Sequence, residues 1–164
     1  MNELDTFNRY ILYFIFACIG YAVIGFSWGA VMGGVAEFRH FVDTVTGQLI
    51  VRAHTHINLL GWVEMAIFGG IYYMVPRLVK RDIYSVCLVK WHFWTHNIGL
   101  IGMVAFFSKA GFEGTTLLLL GEVDQVESVM KTSLAFVGIS GSLVLLANLI
   151  FAWNIYKTVY SKRG

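Results

Sequence analysis

Two histidines separated by a single residue, His54 and His56, open one of the long apolar runs of this chain. On a helix successive residues turn by about 100°, so the two rings leave it about 200° apart, on nearly opposite sides. They cannot close together on one small ion. Each can instead offer a neutral imidazole to a separate planar ligand, and imidazole is an axial ligand for haem iron when its other ring nitrogen has an acceptor. For either residue alone, a hydrogen-bonded interior histidine is the simpler reading. Arg52 stands one turn before His56. It suits pairing with a haem propionate, and equally a side chain reaching from the apolar layer to the interface.

Three further ionisable residues fall inside apolar runs, where charge is costly and usually has a task. Glu64 lies two to three turns past the histidine pair. On a regular helix it points about 280° from His54, between the two histidine faces. A carboxyl there can exchange protons, or it can be a neutral group bonded to a neighbouring helix. His92 and His96 are four residues apart on one helix face, a spacing that metal sites use. Helix rise puts them on the order of 20 Å from His54 and His56, so the two pairs cannot share one iron. They form a candidate second site or are structural.

The elements that must position these residues are transmembrane helices. The chain has 164 residues, 57% hydrophobic and 13% charged, with mean hydropathy +0.67 and one proline. A soluble domain needs more polar surface than that. Apolar stretches near 10–36, 52–76, 86–108 and 131–157 are each long enough to cross a hydrocarbon core, which takes about 20 helical residues. One all-α membrane domain therefore accounts for the whole chain. Glu3 and Asp5 precede the first run, which is longer than a signal-peptide core, so we expect no cleaved leader. Cys18 and Cys87 are expected to be small buried residues, and no Cys-x-x-Cys-His motif for covalent haem is present.

Charge orients the bundle. The connection between the second and third runs carries Arg77, Lys80, Arg81 and Lys90 against Asp82, and the C-terminus carries Lys157, Lys162 and Arg163. One of the other loops is mixed, with Glu37, Arg39, Asp43 and Arg52, and the last is acidic, with Glu113, Glu122, Asp124 and Glu127. The positive-inside rule then puts both termini in the cytoplasm and His54 and His56 at the outer end of span two. A net charge of +2 gives no electrostatic case for a nucleic-acid partner.

Local sequence adds detail. Gly25, Gly29 and Gly33 recur every four residues, a stripe that fits close packing of another helix or, more sharply, a flat cofactor ring. Pro76 followed by basic residues reads as the stop of span two. Span four is apolar apart from Ser140, Ser142, Asn148 and Asn154. The stretch 109–130, with Leu117 to Leu120 among acidic residues, is expected to form a loop lying in the membrane interface.

The run Arg52-Ala-His-Thr-His-Ile-Asn-Leu-Leu-Gly-Trp62, continuing through Ile67-Phe-Gly-Gly-Ile-Tyr-Tyr-Met-Val-Pro-Arg77, resembles the tenth helix of haem-copper oxidase catalytic subunits. The cbb3-type cytochrome c oxidases are the nearer match and the nitric-oxide reductases the next. Trp91-His-Phe-Trp94 with Ile98-Gly-Leu resembles the start of their eleventh helix, and Ala110 to Gly114 has a counterpart there. The resemblance implies a four-helix transmembrane bundle that is one of three arcs in the subunit I fold. It also implies that His54 corresponds to the ligand of the high-spin haem and His56 to that of the low-spin haem. His92 matches a histidine not known as an iron ligand, and His96 has no assigned counterpart.

The resemblance covers nearly the whole chain but only about the last third of the family's catalytic core. The segment supplies neither the opposite ligand of the low-spin haem nor the histidines of a copper site. It therefore implies noncovalent haem b as cofactor, with copper not favoured, and partners that complete the site. Each copy could present His54 to one neighbour and His56 to the other, so we expect a homo-oligomer, a trimer before a dimer. The expected function is that of a b-type cytochrome in electron transfer at the outer face of the inner membrane, with a redox partner that the sequence does not name. Reduction of oxygen or nitric oxide at an open axial position, or a haem or copper carrier or gas sensor without turnover, are the alternatives.

Overall fold

The computed structural model describes residues 2–161. Helix α1 runs Glu3–Gly34, and a short helix α2, Ala36–Val42, follows. Span two is continuous from Gln48 to Val79. It consists of α3 (Gln48–His56), a π-helical segment (Ile57–Val63) and α4 (Glu64–Val79). Helices α5 (Val86–Leu120) and α6 (Val123–Tyr160) complete the chain. Four helices are long and apolar enough to cross a membrane, which makes this an all-α integral membrane protein.

The ends of these helices follow local chemistry. Asn2 caps α1 by accepting from the Asp5 N–H at 2.7 Å, and Ser85 caps α5 by accepting from the Leu88 N–H at 3.3 Å. Pro76 does not end span two as expected. The helix carries on to Val79 and stops at Lys80, whose φ of 51° is left-handed. Proline is tolerated inside membrane helices, so the left-handed cap, not the missing N–H, sets the end.

The expected interfacial loop over 109–130 is helix instead. α5 continues to Leu120, a turn forms at Gly121 with φ 79°, and α6 begins at Val123. Lys109 and Glu113 pair at 3.1 Å one turn apart, consistent with a solvated helix end rather than a loop. At 35 residues α5 is about 52 Å long, well beyond the roughly 30 Å hydrocarbon core. This protruding end is tied to the rest of the fold. Thr115 hydroxyl-bonds both Thr44 (3.1 Å) and Thr46 (2.8 Å) ahead of α3, and Phe38 of α2 stacks on Phe112.

Two apolar clusters hold the bundle. One joins α1, α4 and α5 through Phe7, Phe14, Phe68, Tyr72 and Val89. The other joins α3, α5 and α6 through Leu49, Ala53, Phe107 and Val144. α5 and α6 lie closest together because α5 has no side chain at Gly99, where a methyl group would come within 2.8 Å of the Ser140 carbonyl oxygen. The cysteines depart from expectation. Cys18 is half-buried and Cys87, in the first turn of α5, is exposed, since that face of α5 meets no neighbouring helix.

Candidate functional site

His54 and His56 leave α3 toward different neighbours. The His54 ring turns into α1, where its Nε2 lies 3.1 Å from the Gly25 carbonyl, and Trp28 lies edge-on to it at 6.3 Å. A carbonyl only accepts, so Nε2 carries the hydrogen and Nδ1 the lone pair. The glycine stripe explains the fit. A methyl group on Gly29 would reach 3.0 Å from His54 Nε2, and one on Gly25 would clash with the Asn58 side chain at 2.5 Å. At these two positions the stripe receives side chains of span two, and nothing stands within 4 Å of a methyl group on Gly33. His54 is half-buried against its own chain rather than presented outward to a neighbouring copy, because two glycines let α3 come close.

His56 is oriented the other way. Its Nδ1–H donates to the Arg52 carbonyl at 2.7 Å, one turn back on the same helix. That bond fixes the tautomer and leaves the lone pair on Nε2. The ring lies 5.2 Å from that of Phe107 on α5 and is partly exposed. Arg52 itself is exposed, so its guanidinium is accessible on the same stretch of α3.

Glu64 does not sit between the two histidine faces. Its Oε2 lies 3.8 Å from His96 Nε2 of α5, and Asn148 of α6 is beside its carboxyl. The cause is the π segment that separates His56 from Glu64. A π-helix holds more residues in each turn than an α-helix, so seven such residues rotate Glu64 away from the angle a regular helix gives.

His96 is also nearer the histidine pair than helix rise alone indicated. Its Nε2–H donates to the Leu60 carbonyl at 3.1 Å, four residues beyond His56, which puts the ring on the order of 10 Å from His56. It comes this close because His96 lies well inside α5, which begins at Val86. His92 is further along, with Nδ1 3.0 Å from the Tyr72 hydroxyl. Both rings are fully buried around Phe68, with their centroids 6.1 Å apart. Among the described residues no three His, Cys, Asp or Glu side chains converge as a metal site.

Tyr72, Asn148, Phe107 and Asn58 escaped the sequence reading. Tyr72 and Phe107 look like ordinary core aromatics, and Asn148 is one of several polar residues in α6. Asn58 had a usable signal, since it faces Gly25 across a close helix contact. A polar residue opposite a glycine stripe must bond its own helix, as Asn58 does to the His54 carbonyl at 2.9 Å.

Residues 3–144 match the family model "Cytochrome C and Quinol oxidase polypeptide I". A cytochrome c oxidase subunit 1 of Rhodobacter capsulatus is 34% identical over 137 residues, 76% of this chain and 24% of that protein. A cytochrome c oxidase subunit 1 homolog of Agrobacterium tumefaciens is 33% identical over 136 residues, 76% of this chain and 24% of the relative. A cbb3-type cytochrome c oxidase subunit of Stutzerimonas stutzeri is 28% identical over 138 residues, with 79% and 28% covered. The chain thus spans about a quarter of the length of these curated relatives. With the family model matched over most of its residues, the chain belongs to the cytochrome c and quinol oxidase polypeptide I family.

Proposed function

We propose that this chain is a haem-binding electron-transfer subunit, a b-type cytochrome whose haem is held noncovalently by histidines of span two. The observation that carries the reading is His56. Its Nδ1–H is committed to the Arg52 carbonyl, its Nε2 keeps the lone pair, and its ring is half-exposed beside Phe107. An axial imidazole needs that arrangement. The residues fit a haem unequally. His56 is ready as a ligand, whereas His54 would first have to release the Gly25 carbonyl to offer Nε2. Arg52, exposed beside His56, is placed to pair with a propionate.

When bound, haem supplies a one-electron carrier whose potential responds to axial ligands, burial and nearby charge. The chain's own residues do the rest. His56 would hold the iron, and α3 with Phe107 of α5 would orient the imidazole. A second copy of the chain is proposed to cover the exposed face of α3 and complete the ligand set. Successive contacts of this kind close into a ring, a trimer before a dimer. The basic connection at Arg77 to Lys90 supports an inner-membrane topology with both termini cytoplasmic and the histidines near the outer face.

A second reading has its own support. The relatives are named as cytochrome c oxidase subunits, which favours a role beside or within a larger oxygen-reducing assembly. Visible absorption of the purified protein, reduced and then given carbon monoxide, separates the two. Sharp bands unmoved by carbon monoxide are expected for the electron carrier. A large carbon monoxide shift would transfer support to the oxidase reading, and a protein that takes up no haem would end both.

A further inference from the structure

Where the first turn of α1 meets the end of α4 and the α4–α5 turn, a cavity of about 510 Å³ is lined by four charged side chains, Glu3, Arg77, Arg81 and Asp82. Two are acidic and two basic, so its lining carries no net charge. None of the four forms an ion pair among the described residues, where only Glu64 with His96 and Lys109 with Glu113 come that close. Opposite charges that surround a gap without closing on one another complement a dipolar guest. We propose that this cavity binds the headgroup of an aminophospholipid, its phosphate on Arg77 and Arg81 and its ammonium beside Glu3 and Asp82.

Both arginines are held in place before any ligand arrives. The Arg77 guanidinium lies 3.6 Å over the Tyr73 ring and donates from one nitrogen to the Tyr73 carbonyl at 2.6 Å. Arg81 donates from one nitrogen to the Val159 and Ser161 carbonyls, at 2.9 and 2.8 Å. A guanidinium has five N–H groups, so each keeps donors for a phosphate oxygen after these bonds. Groups fixed in advance lose little freedom on binding. The backbone sets their spacing. Lys80 is left-handed, and the Arg81 N–H turns back to the Pro76 carbonyl at 3.0 Å, which brings Arg81 beside the last turn of α4 that carries Arg77.

Depth and lining identify the guest as a lipid. At 32 residues α1 is about 48 Å long, against about 40–45 Å for a bilayer with its headgroup layers, so its first turn reaches headgroup depth. Leu4, Phe7, Ile83 and Val86 give the cavity an apolar wall, which suits the glycerol and acyl portions of an amphiphile and which a free phosphate ester leaves uncovered. The charge balance then selects the headgroup. Phosphatidylglycerol satisfies the arginines but sets its uncompensated negative charge against Glu3 and Asp82. Phosphatidylcholine has the right net charge, yet its trimethylammonium has no N–H to donate to a carboxylate. Phosphatidylethanolamine supplies both. Lys80 and Lys90, exposed and outside the cavity, attract anionic lipid without such selection. The site stands independently of the haem reading.

Native mass spectrometry of the delipidated, detergent-solubilised full chain tests it, by titration with phosphatidylethanolamine, phosphatidylcholine and phosphatidylglycerol of identical acyl chains. We expect phosphatidylethanolamine to bind about tenfold tighter than either, the worth of one charged hydrogen bond. Arg77→Gln should weaken all three lipids, which share the phosphate. The double variant Glu3→Gln/Asp82→Asn should instead lose the preference over phosphatidylglycerol, and Lys80→Gln should keep it. Should Arg77→Gln fail to fold, the double variant decides, because Glu3 and Asp82 are exposed and bond nothing through their side chains among the described residues. Equal binding of phosphatidylethanolamine and phosphatidylcholine, a wild type that prefers phosphatidylglycerol, or an unchanged preference in the double variant overturns the site. Soluble phosphorylethanolamine bound as tightly as the lipid would overturn its assignment to a membrane lipid.

Discussion

His54 and His56 are two residues apart yet chemically unlike. His56 has its tautomer set by Arg52, while His54 spends its Nε2–H on Gly25. His56→Ala is therefore expected to cost more haem than His54→Ala, as measured by haem retained per chain after purification; an equal loss would mean that His54 rotates freely. Glu64 gives a second prediction. If reduction of haem draws a proton to this carboxyl, lower pH favours reduction. The midpoint potential then falls as pH rises, by at most about 59 mV per unit for a one-electron, one-proton couple. Glu64→Gln should flatten that slope in a spectroelectrochemical titration, and an unchanged slope would rule the carboxyl out. At this scale the sequence was informative wherever a residue type is costly in a membrane, which singled out all five ionisable groups. It was silent on their partners, because Asn148 and Tyr72 reach Glu64 and His92 only through helix packing.

The four spans were legible from length and hydropathy, and the α3 histidines did diverge as a regular helix requires. What failed was rotation and extent. The π segment Ile57–Val63 leaves no mark in its composition, yet it turns Glu64 onto the α5 side. The acidic residues of 109–130 suggest a loop, whereas they lie on the end of α5 and the start of α6. The glycines test the packing directly. Gly99→Ala drives a methyl group toward the Ser140 backbone and should destabilise the detergent-solubilised protein by about 1–3 kcal/mol. Gly138→Ala, which meets nothing within 4 Å, should be neutral in the same thermal unfolding assay. Equal effects would mean that α5 and α6 are not held by this contact.

For the whole molecule, the four helices form an arc whose lipid-length surfaces stay apolar. Phe16, Val23, Ile98, Ile101, Leu145 and Leu149 are all at least half exposed. Such surface suits lipid or another copy equally, so the proposed ring rests on the exposed side of α3 rather than on hydrophobicity. Mass photometry of the solubilised protein is expected to give a trimer, and a monomer carrying stoichiometric haem would remove the shared-ligand arrangement.

The most direct test of the whole account is haem quantification with optical spectra on the purified wild type beside the His54→Ala/His56→Ala double variant. The account predicts haem in the wild type and its loss from the double variant. Full, spectrally normal haem in that variant would contradict it.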